Sequence, residues 1–186
     1  MSLSGPKWVD QHPESTTIDD LIEPFRGNVN RFLAALKAAG AAVTIACTLR
    51  PPERAYLMHY SFGIARMKLD PASALPMAGV DIQWVHTDLK GVADVVASRK
   101  AAEQMVEAYG IVFLPVLKSR HTEGNAIDMD ISWESDLTVV DAKGKQVTIT
   151  IQPRTGAGNA HLQAVGATYG VRKLASDPPH WSIDGH

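Results

Sequence analysis

The sequence holds a single cysteine, Cys47, in 186 residues, so no internal disulfide can staple it. Cys47 lies in the apolar run Val43-Thr44-Ile45-Ala46-Cys47, where a buried, inert thiol is expected rather than a nucleophile. No stretch approaches the length of a membrane span. There is no basic run, and the formal net charge is -2, so nothing points to a nucleic-acid partner. The opening Met1-Ser2-Leu3-Ser4-Gly5-Pro6 lacks the apolar centre of a signal peptide. Internal repeats and low-complexity segments are absent. Gly156-Ala157-Gly158 lacks the third glycine of a dinucleotide loop and reads as a helix entry.

What is present suits a globular chain: 45% hydrophobic and 20% charged residues, enough to bury a sizeable core without cross-links. Residues 1–20, polar and holding Pro6 and Pro13, read as an extended lead-in, and residues 21–186 as one domain. Pro24 fits a helix first turn. Phe25, Val29, Phe32, Leu33 and Leu36 follow at helical spacing up to Gly40. Val43–Thr48 predicts a buried strand, ended by Arg50 and the Pro51-Pro52 pair. The next helix directs Tyr56, Leu57, Tyr60 and Ile64 inward.

Residues 69–90 read as a long loop whose Trp84 and His86 are expected to line a groove. A helix is predicted over Gly91–Tyr109 with Val92, Val95, Val96, Ala102, Met105 and Val106 inward, then a strand over Ile111–Leu117 that Pro115 marks as edge or bent. Ala126–Trp133 alternates: Ile127, Met129, Ile131 and Trp133 face the core and Asp128 the other side. Leu137–Val140 and Val147–Ile151 flank Lys143-Gly144-Lys145, a hairpin signal. Thr155 can cap a helix to Tyr169, and Val171–Leu174 and His180–Ile183 read as short closing strands. The order predicts an α+β fold with a small antiparallel sheet flanked by helices.

Two clusters carry chemistry. Ser119-Arg120-His121-Thr122-Glu123-Gly124-Asn125-Ala126-Ile127-Asp128 reads S-x-H-x-x-G-x-A-x-D, and Asp177-Pro178-Pro179-His180-Trp181 follows far downstream. Together they offer two imidazoles and a carboxylate, which suits a catalytic zinc site with an open fourth position, and a spare acid three residues before the second imidazole. The five fixed positions of the first motif are expected by chance in roughly one chain of this length in ten thousand.

These clusters, in this order, together with Arg50, resemble the zinc D-Ala-D-Ala carboxypeptidase and L-Ala-D-Glu endopeptidase family (the LAS or M15 peptidases), endolysin domains included, over roughly residues 21–183. The resemblance implies a Hedgehog/D-Ala-D-Ala peptidase-like fold and a zinc ion held by His121, Asp128 and His180. It implies Asp177 as general base and Arg50 as the cation that polarises the scissile carbonyl. Asp177 alternatively reads as a turn residue before two prolines, and Arg50 as a surface partner of Glu53. Ser119 would support substrate or the ligand loop, and Trp181 would pack beside His180 at the substrate.

The function implied is hydrolysis of peptidoglycan stem peptides, as an endopeptidase or a D,D-carboxypeptidase or dipeptidase. A different class is a zinc-containing cell-wall-binding module without catalysis. The peptide partner would be peptidoglycan. Without a visible signal peptide, the chain is expected to stay cytoplasmic until released to the wall, or to act as a cytoplasmic dipeptidase.

Overall fold

A computed structural model describes residues 1–186. In chain order its elements are β1 (Ser2–Leu3), α1 (Phe25–Ala38), β2 (Ala42–Cys47), α2 (Pro52–Arg66), β3 (Ile82–Gln83), α3 (Val95–Tyr109), β4 (Ala126–Ser132), β5 (Leu137–Val140), β6 (Gln146–Ile149), α4 (Ala160–Thr168), β7 (Arg172–Lys173) and β8 (His180–Ser182). The fold is α+β. No helix is long and apolar enough to cross a membrane. The contacts group into two compact units, Met1–Pro13 with Pro51–Ser119, and Glu14–Arg50 with Arg120–His186. The stretch 21–186, read as one domain, contributes to both.

The first unit packs α2 beside α3. Tyr56, Leu57, Tyr60 and Ile64 of α2 are buried as the spacing predicts, with Ala102 and Met105 of α3. Residues 1–13 are more than a lead-in: β1 pairs in parallel with β3, and Trp8 is buried in this core. The α3 helix starts later than predicted, where the Asp94 side chain accepts from the Ala97 amide. Val92, ahead of the helix, and Val95 and Val96, in its first turn, are exposed. Residues 111–117 form no strand; Val112, Phe113 and Val116 are exposed. Trp84 is a core residue whose Nε1 donates to the Tyr56 hydroxyl at 3.1 Å, and His86 Nε2 lies 3.0 Å from Ser4 Oγ. Trp84 is buried and His86 half-buried.

The second unit holds a four-stranded sheet in the order β2-β4-β8-β7, every pair antiparallel, and the β5-β6 hairpin. Phe25, Val29, Phe32 and Leu36 of α1 are fully buried with Ile127, Met129 and Ile131 of β4. Each such side chain contributes about 1.5–3 kcal/mol by leaving water. The β2 strand is an edge strand rather than a buried one, its residues alternating exposed and half-buried until Cys47. Asn159, not Thr155, caps α4: its side chain accepts from the Leu162 amide at 3.1 Å.

Candidate metal centre

Register alone brings three chemistry-bearing residues to one face of the sheet. In the antiparallel ladders Asp128 stands opposite Cys47 on one side and opposite His180 on the other, and directly paired residues share a face. The register slips between Ile45 and Cys47. This bulge gives β2 one extra residue, so Cys47 rather than Ala46 faces Asp128.

His121 arrives from a turn, not a strand. The Asn125 amide donates to Arg120 O at 2.8 Å, and Gly124 sits in the left-handed region at φ 67°. A Cβ there would meet the Asp20 oxygen and the Ile22 nitrogen, each at 3.3 Å, so the motif glycine is required by both backbone conformation and space. Arg120 clamps the turn, pairing with Glu123 at 2.6 Å and with Asp184. The Arg50 amide donates to His121 O at 3.2 Å.

Three side-chain atoms then converge. His121 Nε2 lies 3.1 Å from Asp128 Oδ1 and 3.0 Å from His180 Nδ1. His180 Nδ1 lies 3.2 Å from the same Oδ1. The opposite edges of the rings determine what these atoms present. His121 Nδ1 is 3.2 Å from Thr48 O, and His180 Nε2 is 3.1 Å from His186 O. Main-chain oxygens only accept, so each of these nitrogens donates. The inner nitrogens of the neutral rings are therefore lone pairs, and both face a carboxylate oxygen. One proton can bridge two such atoms; one cation serves all three.

Burial would raise the Asp128 carboxyl, but where the inner nitrogens of His121 and His180 carry protons in place of a cation, their hydrogen bonds and charge outweigh it and hold the group well below the usual carboxylate range. Two ligands at about 2.0–2.2 Å from a tetrahedral zinc stand about 3.3–3.5 Å apart, close to the 3.0–3.2 Å found here. The donor set and the carbonyl-anchored rings fit a zinc ion.

Cys47 is the residue that motif reasoning left out of the centre. Cys47, His121 and Asp128 offer ligand atoms that all lie within 4.8 Å of one another and could hold a metal ion. The thiol is buried, as its apolar run predicts, with Sγ 3.6 Å from His121 Nδ1. It thus meets the ring edge that faces Thr48 O, whereas Asp128 and His180 meet the other edge. The only signal for it in sequence is its place at the end of the strand preceding Arg50.

The remaining candidates are distributed unevenly. Asp177 is exposed. Pro178 and Pro179 do not hold the chain extended: residues 177–180 close a turn, with the His180 amide donating to Asp177 O at 3.1 Å. Arg50 pairs through Nε with Glu14 at 2.5 Å, not with Glu53. Ser119 is half-buried and ends the first unit. Trp181 has no exposed surface and packs on Phe32 at a ring separation of 5.8 Å. A side chain so enclosed has nothing to offer a substrate, and its role is in the core behind His180. Burial draws the Lys173 ammonium below its usual range against the opposing pull of Asp177 and Asp128.

No protein-family model matches the chain, and no curated protein matches it.

Proposed function

We propose that the chain is a zinc-dependent peptidase of the D-Ala-D-Ala carboxypeptidase and L-Ala-D-Glu endopeptidase type, hydrolysing peptide bonds in peptidoglycan stem peptides. The observation that carries the reading is the convergence of His121 Nε2, Asp128 Oδ1 and His180 Nδ1 within 3.0–3.2 Å of one another, each ring anchored at its far nitrogen by a main-chain oxygen.

In this reading His121, Asp128 and His180 hold the ion. Zinc in such a set supplies Lewis acidity toward a carbonyl oxygen and makes water acidic enough to react near neutral pH. The chain's own groups do the rest. The exposed Asp177 carboxylate, on the turn that leads into His180, takes the proton of the attacking water and returns it to the leaving amine. The Arg50 guanidinium, aimed by Glu14, stabilises negative charge developing on the scissile carbonyl oxygen.

Two measurements on the purified protein test this. Metal content by elemental analysis is expected to show one zinc per chain. Mass spectrometry of purified peptidoglycan after incubation is expected to show cleaved stem peptides, with a new D-Glu amino terminus or released D-Ala naming the bond. Zinc without any cleavage would select a wall-binding module, and no metal uptake would defeat both.

A further inference from the structure

The turn that carries Asp177 and His180 is short of main-chain donors. Pro178 and Pro179 have no N–H to donate, and residues 175–178 are exposed. Four main-chain bonds tie the turn down: Asp177 N to Leu174 O at 3.3 Å, His180 N to Asp177 O at 3.1 Å, Leu174 N to His180 O at 3.1 Å, and Met129 N to Pro179 O at 2.9 Å. Leu174 O, Asp177 O and His180 O each accept one of these bonds, and a carbonyl oxygen has a second lone pair for another donor.

One side chain meets them. Lys173, at the end of β7, donates from Nζ to Leu174 O, to Asp177 O and, at 3.2 Å, to His180 O. An ammonium has three donors and no acceptor, and here each donor has one carbonyl. The group sits 5.9 Å from the Trp181 ring centre, so its stem is held at the strand end. The three oxygens belong to the first residue of the turn, the proposed base and the proposed ligand.

Resting on the peptidase reading above, we propose that Lys173 is the positioning residue of the centre, an ammonium staple that fixes the Leu174–His180 turn and thereby aims His180 at the metal and Asp177 at the water. It touches neither metal nor substrate. Its effect passes through the two residues whose main-chain oxygens it holds.

The test compares Lys173→Met, which keeps the stem and removes the donors, with Lys173→Arg, which restores donors. In Lys173→Met the His180 and Met129 amides are expected to exchange with solvent faster. Its zinc dissociation constant is expected to rise, and its kcat on purified peptidoglycan to fall, by about 10- to 100-fold each with KM little changed. Lys173→Arg is expected to recover most of all three. Unchanged amide exchange and zinc affinity in Lys173→Met would overturn the proposal. So would an equal defect in Lys173→Arg, which would reduce Lys173 to a packing residue. Wild-type protein that takes up no zinc would defeat the metal reading instead, and the amide exchange of the two variants would still decide whether Lys173 holds the turn.

Discussion

His121 Nε2 stands 3.0 Å from His180 Nδ1, although a turn supplies one ring and a strand the other. The two rings meet edge to face, 4.8 Å between centroids and 75° between planes. What brings them together is Asp128 on the middle strand, in register with His180 and one turn downstream of His121. What orients them is main chain: Thr48 O behind one ring and His186 O behind the other. The centre is thus anchored by carbonyls, which fix the tautomers and leave the inner nitrogens as acceptors.

The first prediction follows from those tautomers. Wild-type protein is expected to bind one zinc ion, with His121→Ala and His180→Ala each abolishing uptake. Metal ligands bind in their deprotonated forms, so affinity is expected to weaken as pH falls. Titration with a chromophoric chelator at several pH values reads both effects. Equal zinc uptake by wild type and His121→Ala would place the ion elsewhere.

The two carboxylates are separable. Asp128 is held on a paired strand with its oxygen against both imidazoles, whereas Asp177 is exposed on a turn. Asp128→Asn is expected to weaken metal binding first. Asp177→Asn is expected to keep metal and fold but lose about 100-fold or more in turnover on purified wall, within the range for a general base. The reverse pattern would exchange the two assignments.

Arg50→Ala is expected to lower turnover by about 100-fold, the usual cost of one oxyanion donor, with metal content unchanged. The main-chain bond from Arg50 to His121 O survives the substitution, so the variant isolates the guanidinium. Wild-type turnover in Arg50→Ala would leave its pairing with Glu14 as its whole role.

Asp184 predicts a pH-dependent stability term. The hydrogen bond from Arg120 holds its carboxyl below the usual range. A carboxyl depressed in the folded state stabilises above its unfolded value of about 3.9 and loses that contribution as pH falls through the folded value. The difference in melting temperature between wild type and Asp184→Asn is expected to be constant from about pH 5 to 8 and to shrink below about pH 4. An equal difference at pH 3 and pH 7 would remove Asp184 from the acid response.

The sequence spoke clearly where a pattern has one physical meaning. The apolar stripe of α1 and the alternation of β4 place Phe25, Phe32, Ile127 and Met129 in the core, and all are buried. His121 and Asp128 share one motif and His180 lies in a second, and the fold brings all three together. Periodicity does not say what covers a face, which is why Val96, read as inward, and Phe113, read as part of an edge or bent strand, are 79% and 83% exposed. Trp84 is expected at a groove from its place in a long loop and Trp181 beside His180 at the substrate, yet both are enclosed by their own units' cores. The bulge that brings Cys47 opposite Asp128, the carbonyls of Thr48 and His186, and the grip of Lys173 on three more carbonyls left no mark in residue identity. Main-chain acceptors are the same at every position, so only coordinates reveal which ones a side chain meets.

The last prediction concerns Gly166, which couples core and centre. In the interior of a helix, glycine to alanine ordinarily stabilises by about 0.5–1 kcal/mol, because glycine loses more backbone freedom on folding. At this place in α4 a Cβ would stand 2.9 Å from Val171 O, 2.9 Å from Trp181 Cζ3 and 3.2 Å from Phe32 Cζ. The first is main chain and the others belong to rings already packed on each other, so nothing at the end of a flexible stem can move aside. Overpacking of this kind costs about 1–3 kcal/mol and outweighs the entropic gain. Gly166→Ala is therefore expected to destabilise, read as a lower urea midpoint with an unchanged slope. Relief requires Trp181 to shift, and Trp181 adjoins His180 on β8. The same variant is accordingly expected to bind zinc more weakly although no ligand has been altered. A stabilised Gly166→Ala with wild-type zinc affinity would mean that α4 and β8 are not packed as closely as these distances state.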